Sequence, residues 1–248
     1  WNRCYDTASS YCGRGAGLKR HGWSCSLVYD AEALWHRRDE LQLAAMETYH
    51  KNADSLRRAL AGAGKKSEEI GNLRLADSII AVSSSEKEII GGLVNVPVNV
   101  VGHSLSRVGQ QLSEQPFSAR TGFLIVGDFA ASMYYNADAA WFWLTHVLPR
   151  VAQHRSTLQS GSLPTLTIAG RRIPQPLIAT VQASPFNERI RLVESPESTH
   201  ALYNAARVVV IPHQYAAGTM FKFSEAMASG VPVVASSIAA AGIGLGGV

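Results

Sequence analysis

Lys222 and Glu225 stand three residues apart in the run AAGTMFKFSEAMASGVPVVAS, near the end of the chain. Gly218 and Thr219 make a turn before them, and a glycine and an apolar strand follow. On a helix, positions i and i+3 share a face. The N-terminus of that helix offers free backbone N–H groups and a partial positive charge, which suits a phosphate. Gly218 has no side chain, so a ligand could come close to its backbone. Lys222 could set a formal positive charge against a diphosphate, and Glu225 could accept hydroxyl hydrogen bonds from a ribose. The same spacing also describes a surface ion pair worth about 0.2–0.5 kcal/mol. Spacing alone does not choose between them.

The elements that must carry these residues are regular from residue 120 onward. GFLIVGDF (122–129) is a continuous apolar run, as in a strand buried on both faces. NADAAWFWLTHVLPRVAQH has apolar residues at 140, 141, 144, 147, 148 and 151, which is helical spacing, with Asn136 placed as its N-cap. LPTLTIAG (163–170) predicts a second strand, PQPLIATVQAS a short helix and RIRLVES a third strand. Ser195 and Pro196 predict the start of another helix. RVVVIP and VPVVAS read as the fourth and fifth strands, one on each side of the Lys222 helix. Such alternation predicts an α/β domain with a parallel sheet and helices on both faces. Ligands of such sheets bind beyond the carboxyl ends of the strands. Those ends are Gly127-Asp128, Gly170-Arg171, Glu194-Ser195 and Pro212-His213.

The first part of the chain is less regular. CSLVYDAEALWHRR (25–38) reads as a strand ending near Asp30, followed by an amphipathic helix from about Arg38 to Ala61. ADSIIAVSSSEKEIIGG reads as a strand and a helix, with Ser83 as a cap and Ser85 with Glu88 as a capping box. VPVNVVGHS adds one more strand. The division expected is 1–105 as the latter part of one α/β domain, 106–120 as a linker and 121–248 as a second domain. Asp30, Glu32 and Arg37 follow a strand end and are the candidates in the first domain. His103 and His213, at strand ends, could line the cleft but read more simply as solvated loop residues, and Trp35, Trp141 and Trp143 read as packing residues.

With 248 residues, 46% apolar and 17% charged, the composition is that of a globular chain. The net charge of +4 is scattered rather than clustered, which argues against nucleic acid as a partner and allows a mild preference for phosphorylated ligands. Cys4, Cys12 and Cys25 match no zinc spacing and, being odd in number, make a poor disulfide framework. They read as free thiols in a reducing compartment. No apolar run reaches transmembrane length, and no signal peptide is visible. The glycine cluster GRGAGLKRHG (13–22) follows no strand, so it is weak as a phosphate loop; a basic surface loop near an anionic membrane is the other reading. The chain opens on Trp rather than Met, which leaves open whether it is a fragment of something longer.

GTMFKFSEAMASGVPVVAS resembles the G-T/S-x-x-K-x-x-E-A-M-A-x-G-x-P-V-V-A signature of the retaining GT-B glycosyltransferases, the large family 4 group. RTGFLIVGDF, NADAAWFWLTHVLPRV, LTIAG and ALYNAARVVVIPH are similar to the blocks that precede that signature, in the same order. LVYDAEALWHRR and ADSIIAVSSSE resemble the closing part of the family's N-terminal Rossmann-like domain, so the likeness covers most of residues 25–248. It implies a nucleotide-diphospho-sugar donor (UDP, GDP or ADP type) on a Rossmann-like C-terminal domain, and a glycan or lipid-linked acceptor on the N-terminal one. Lys222 and Glu225 would then carry catalysis, with Glu225 on the ribose. Lys222 and the backbone of Gly218 and Thr219 would face the diphosphate and sugar, with Arg171 near the base or phosphates and Gly127 and Gly170 lining the donor. Asp30, Glu32 and Arg37 would lie on the acceptor side. The resemblance further implies retention of configuration, no metal or other cofactor, and a cytoplasmic place with peripheral attachment to the membrane as an option.

The chain departs from the family at Ala217, where the signature carries a glutamate eight residues before Glu225, and GDFAASMYYNADA lacks the usual basic pair. A non-catalytic binding or scaffold module of the same fold is therefore the alternative. A nicotinamide-dependent oxidoreductase fits poorly, since no G-x-G-x-x-G follows a strand with an acid about twenty residues on.

Overall fold

The computed structural model describes residues 26–49, 65–103, 115–130, 134–154 and 163–245. The three cysteines, the 13–22 glycine cluster and most of the 106–120 stretch lie outside them. The chain divides into two compact units. The first comprises 1–103 with 215–219 and 240–248, and the second 104–214 with 220–239.

The first unit holds a three-stranded parallel sheet of β1 (Val28–Ala31), β2 (Ser78–Ala81) and β3 (Val98–Val100), in that order. Its helices are α1 (Trp35–Tyr49), α2 (Lys65–Leu75) and α3 (Ser84–Leu93). Ala31, Leu34, Leu73, Ile79, Ala81 and Ile90 form its core. α1 begins at Trp35, three residues before the expected start. The carboxylate of Glu69, on α2, accepts from the backbone N–H groups of Trp35 (2.9 Å) and His36 (3.0 Å), so a distant side chain does the work of a cap. α3 is capped by Ser83, whose Oγ accepts from Glu86 N–H at 3.1 Å. The box expected at Ser85 and Glu88 is not made: the helix begins two residues too early for it, and Ser85 Oγ donates to the Ala241 carbonyl instead.

The second unit is a five-stranded, all-parallel sheet. Its strands are β4 (Thr121–Asp128), β5 (Leu166–Arg171), β6 (Ile190–Glu194), β7 (Ala206–Ile211) and β8 (Val233–Ala235), ordered β6-β5-β4-β7-β8. The helices are α4 (Tyr134–Phe142), α5 (Leu148–Gln153), α6 (Gln175–Ala183), α7 (His200–Ala205), α8 (Phe221–Ala228) and α9 (Ser237–Ala241). A π-helical turn, Trp143–Val147, joins α4 to α5. It lies just before Pro149, whose missing N–H and bulky ring a regular α ladder does not accept. Ile125, Phe129, Trp143, Leu144, Leu148, Ile168, Leu177 and Val210 make the core, with Trp141 packed against it.

Two expected helix starts differ. Asn136 is not an N-cap: α4 starts at Tyr134, and Asn136 lies within it, 5% exposed. Ser195 does not open a helix either. Its N–H donates to the Gly170 carbonyl at 2.8 Å, continuing the β5–β6 ladder, its φ is +47°, and α7 begins only at His200.

At the sheet's carboxyl edge Gly127 and Gly170 are register partners. A Cβ on Gly170 would lie 1.7 Å from the Gly127 carbonyl oxygen and 2.9 Å from the Phe129 ring. By contrast, a Cβ on Gly91 or Gly92 in α3 meets nothing within 4 Å. Gly170→Ala is expected to destabilise by about 1–3 kcal/mol or more through overpacking. Gly91→Ala or Gly92→Ala is expected to stabilise by about 0.5–1 kcal/mol, because glycine is a poor helix former. Urea midpoints at an unchanged slope would record the opposite signs.

Candidate functional site

The strand order sets the reversal of winding between β4 and β7: the chain goes from β4 to β5 and β6 on one side, then returns to β7 and β8 on the other. A crevice at the carboxyl ends of the two flanking strands is the usual consequence, and ligands of such sheets lie there. The helices after these strands are α4 and α8, which carry Asn136 and the pair Lys222 and Glu225.

Lys222 and Glu225 do not form the surface ion pair that their spacing allows. The Lys222 ammonium donates to Asn136 Oδ1 and lies 3.2 Å from His213 Nε2. Glu225 Oε2 accepts from the Tyr203 hydroxyl of α7 at 2.9 Å. Burial pushes Lys222 down to about 7, against the pull of the Glu225 charge. Burial, and then the charge of Lys222, push His213 well below the ordinary imidazole range, so it is neutral at pH 7. His213 is thus not the solvated residue expected: it is 1% exposed and its Nε2 lies 3.0 Å from Asn136 Oδ1. Burial, reinforced by the Glu225 carboxylate, pushes the Tyr203 phenol up, so it remains a donor.

The other candidates of this unit stand at the strand ends. Gly127 has a packing reason to be glycine, since a Cβ there would come within 3.0 Å of Asn136 Cγ. Arg171 is exposed and donates to Asp128 Oδ2 at 2.9 Å, while Arg172, with φ +60°, donates to both oxygens of the same carboxylate at 2.6 and 3.2 Å. Burial raises the Asp128 carboxyl, but the Arg172 hydrogen bond, the Ala130 N–H and both guanidinium charges outweigh it and hold it below the usual range. Glu194 is held low by the N–H groups of Ile173 and Arg172, which donate to its two oxygens.

Gly218 and Thr219 belong to the first unit. The Gly218 N–H was expected to face a phosphate; here it donates to Glu86 Oε1 at 2.7 Å. Gly218 has φ +72°, and a Cβ on it would lie 2.4 Å from the Glu32 carbonyl oxygen, so only glycine fits. Burial pushes the Glu86 carboxyl up, against the Gly218 N–H and the Arg37 charge. Arg37 therefore lies within electrostatic reach of Glu86, whereas the Asp30 carboxylate is exposed on β1. Among the described residues neither Glu86 Oε2 nor Thr219 Oγ1, both buried, has a hydrogen-bond partner. α8 itself begins at Phe221, with no side-chain cap on its first turn.

Sequence reasoning missed Tyr203 and Glu86, gave Asn136 only the part of a cap, and weighed His213 for the cleft only as the second choice. The signal for Asn136 was Gly127, a glycine within a strand that leaves room for a side chain from the following helix. Among the described residues no group of three or more His, Cys, Asp or Glu could hold a metal ion, and no helix is long and apolar enough to cross a membrane.

The depressed Lys222 has a consequence for stability. The unfolded chain, with an ordinary lysine pKa of 10.5, holds this proton over a range in which the folded chain has lost it. Stability at this residue therefore rises with pH between about 7 and 10.5. Lys222→Met is expected to flatten that rise in urea midpoints measured across the window.

Residues 120–245, half of the chain, match the family model described as glycosyl transferases group 1. No curated protein matches the chain in sequence. Among solved structures it is similar to a sucrose-phosphate synthase from Thermosynechococcus elongatus, with 16% identity and a TM-score of 0.60 over 92% of this chain and 54% of that one. It is similar to an α,α-trehalose-phosphate synthase (UDP-forming) from Burkholderia vietnamiensis, with 9% identity and a TM-score of 0.57 over 96% and 65%. It is also similar to HepE from Anabaena, solved with UDP, with 12% identity and a TM-score of 0.52 over 94% and 57%. These likenesses show the α/β fold with its parallel, Rossmann-like sheets, and the chain spans about half to two thirds of the length of these structures. With the family model covering half of its residues, the chain belongs to the group 1 glycosyl transferases.

Proposed function

We propose that the protein is a glycosyltransferase moving a sugar from a nucleotide-diphospho-sugar to a glycan or lipid-linked acceptor, with retention of configuration and without a metal ion. The observation that carries this reading is the Lys222 ammonium set at the carboxyl edge of the second unit's sheet, one helical turn before a half-buried Glu225. A UDP-bound neighbour of similar fold supports a nucleoside diphosphate as the ligand.

In this reading Lys222 and Glu225 are the catalytic pair. Glu225 keeps Oε1 for ribose hydroxyls while Tyr203 holds Oε2. Lys222 faces the diphosphate, whose charge favours the protonated lysine and stabilises the leaving group as it departs. The bond from the anomeric carbon to the diphosphate oxygen breaks, and a bond to the acceptor oxygen forms on the same face. The acceptor proton passes to the leaving diphosphate, so no protein nucleophile is required. Gly127, Gly170 and Arg171 line the donor side. Gly218 and Thr219 serve the diphosphate and sugar once the Gly218 N–H leaves Glu86, and Asp30, Glu32 and Arg37 serve the acceptor.

A non-catalytic binding module is the second reading, favoured by Ala217 and by the engagement of the Gly218 N–H with Glu86. Titration with UDP, GDP and ADP by calorimetry and thermal shift tests both. One nucleotide is expected to raise the melting temperature by mass action. Glu225→Ala is expected to weaken its binding about tenfold or more, the loss of a charged hydrogen bond. A folded sample with no response to any of the three at millimolar concentration overturns the donor site. Binding with neither transfer nor donor hydrolysis supports the second reading.

A further inference from the structure

Lys222 is only as well placed as the group that holds it. Its partners are Asn136 and His213, and the two differ in how firmly they are fixed. Asn136 is buried in the interior of α4, where asparagine is a poor helix former, so helix propensity does not account for it. Its Nδ2 donates to the Asp128 carbonyl at 2.7 Å, which fixes the orientation of the amide. Oδ1 must then point away from β4, and it meets two nitrogens, Lys222 Nζ and His213 Nε2.

The tautomer of His213 follows. An amide oxygen only accepts, so Nε2 carries the hydrogen, and the buried Nδ1 without a partner is the lone-pair nitrogen. Nε2–H then cannot accept from a charged Lys222, which leaves Asn136 Oδ1 as the acceptor that fixes the ammonium. The remaining groups about Lys222 are Glu225 on its own helix and, through Glu225, Tyr203 on α7. Asp128 turns its carboxylate to Arg171 and Arg172 and offers Asn136 only its carbonyl.

We propose that Asn136 is a positioning residue of the donor site: its amide, oriented by the Asp128 carbonyl and given room by Gly127, holds the Lys222 ammonium toward the phosphate groups of the donor. The proposal rests on the donor-site reading above. It gives α4, the helix after the first strand of the second unit, a part in anion recognition although it brings no cation of its own.

The test is a double-mutant cycle read by UDP, GDP and ADP affinity, using whichever nucleotide the wild-type protein binds. Asn136→Ala and Lys222→Met are each expected to weaken binding about tenfold, and the double variant no further than the worse single one. A residue with a merely structural role gives losses that multiply, and that result overturns the proposal, as does wild-type affinity in Asn136→Ala. Asn136→Asp keeps the size of the side chain, gives up the donation to the Asp128 carbonyl and sets a charge beside Lys222, so the pH midpoint of nucleotide binding is expected to rise by a unit or more; an unmoved midpoint also overturns the proposal. Should Asn136→Ala fail to fold, Asn136→Asp decides alone. Should the wild type bind none of the three nucleotides, the donor-site reading fails. The Lys222 contact is then decided by 13C NMR titration of lysine Cε in the wild type and Asn136→Asp: an upward shift supports it and an unchanged curve overturns it.

Discussion

A parallel sheet with helices on both faces must reverse its winding somewhere, and there two strand ends stand side by side without a crossover above them. In the second unit that place lies between β4 and β7. The chemistry of the unit is arranged around it. β4 ends beside the glycine that admits Asn136, β7 runs into His213, and the helix after β7 brings Lys222 and Glu225. Asn136 and Lys222 are 86 residues apart in sequence, and the sheet order brings them together.

The two charged residues of α8 are treated differently by their surroundings. The carboxylate of Glu225 has a phenol donor, which satisfies one of its oxygens. Among the described residues no carboxylate lies within ion-pair distance of the lysine, although the Glu225 charge is felt there; its acceptor is the Asn136 amide oxygen, with a neutral imidazole beside it. A buried ammonium with only neutral partners is undercompensated, and its proton is easily lost. In the proposed reading the diphosphate of the donor supplies the missing negative charge.

Much of the fold was legible because buried parallel strands are continuous apolar runs, and every strand named from 120 onward is present within a few residues. The motif of α8 was legible because its spacing is local. What sequence could not give was the partner of each polar group. Asn136 before an apolar helix reads as a cap, because caps are the commoner use of asparagine; its burial depends on a glycine nine residues earlier. His213 after a strand reads as solvated, yet it is buried beside Asn136. The Ser195 cap failed because the ladder claimed its N–H, and the Ser85 box because Ser83 had already capped the helix. In each case a long-range contact overrode a local preference.

Asp128, Arg171, Arg172 and Glu194 add a consequence at long range. Two guanidiniums and two carboxylates cluster at the ends of β4, β5 and β6, and their formal charges cancel. Lys222 adds a positive charge there that falls away as the pH rises through about 7. An approaching anion thus meets no strong field from the cancelling groups at a Debye length and is drawn only once hydrogen-bond distances are reached. At such an edge shape and contact discriminate more than charge felt at a distance.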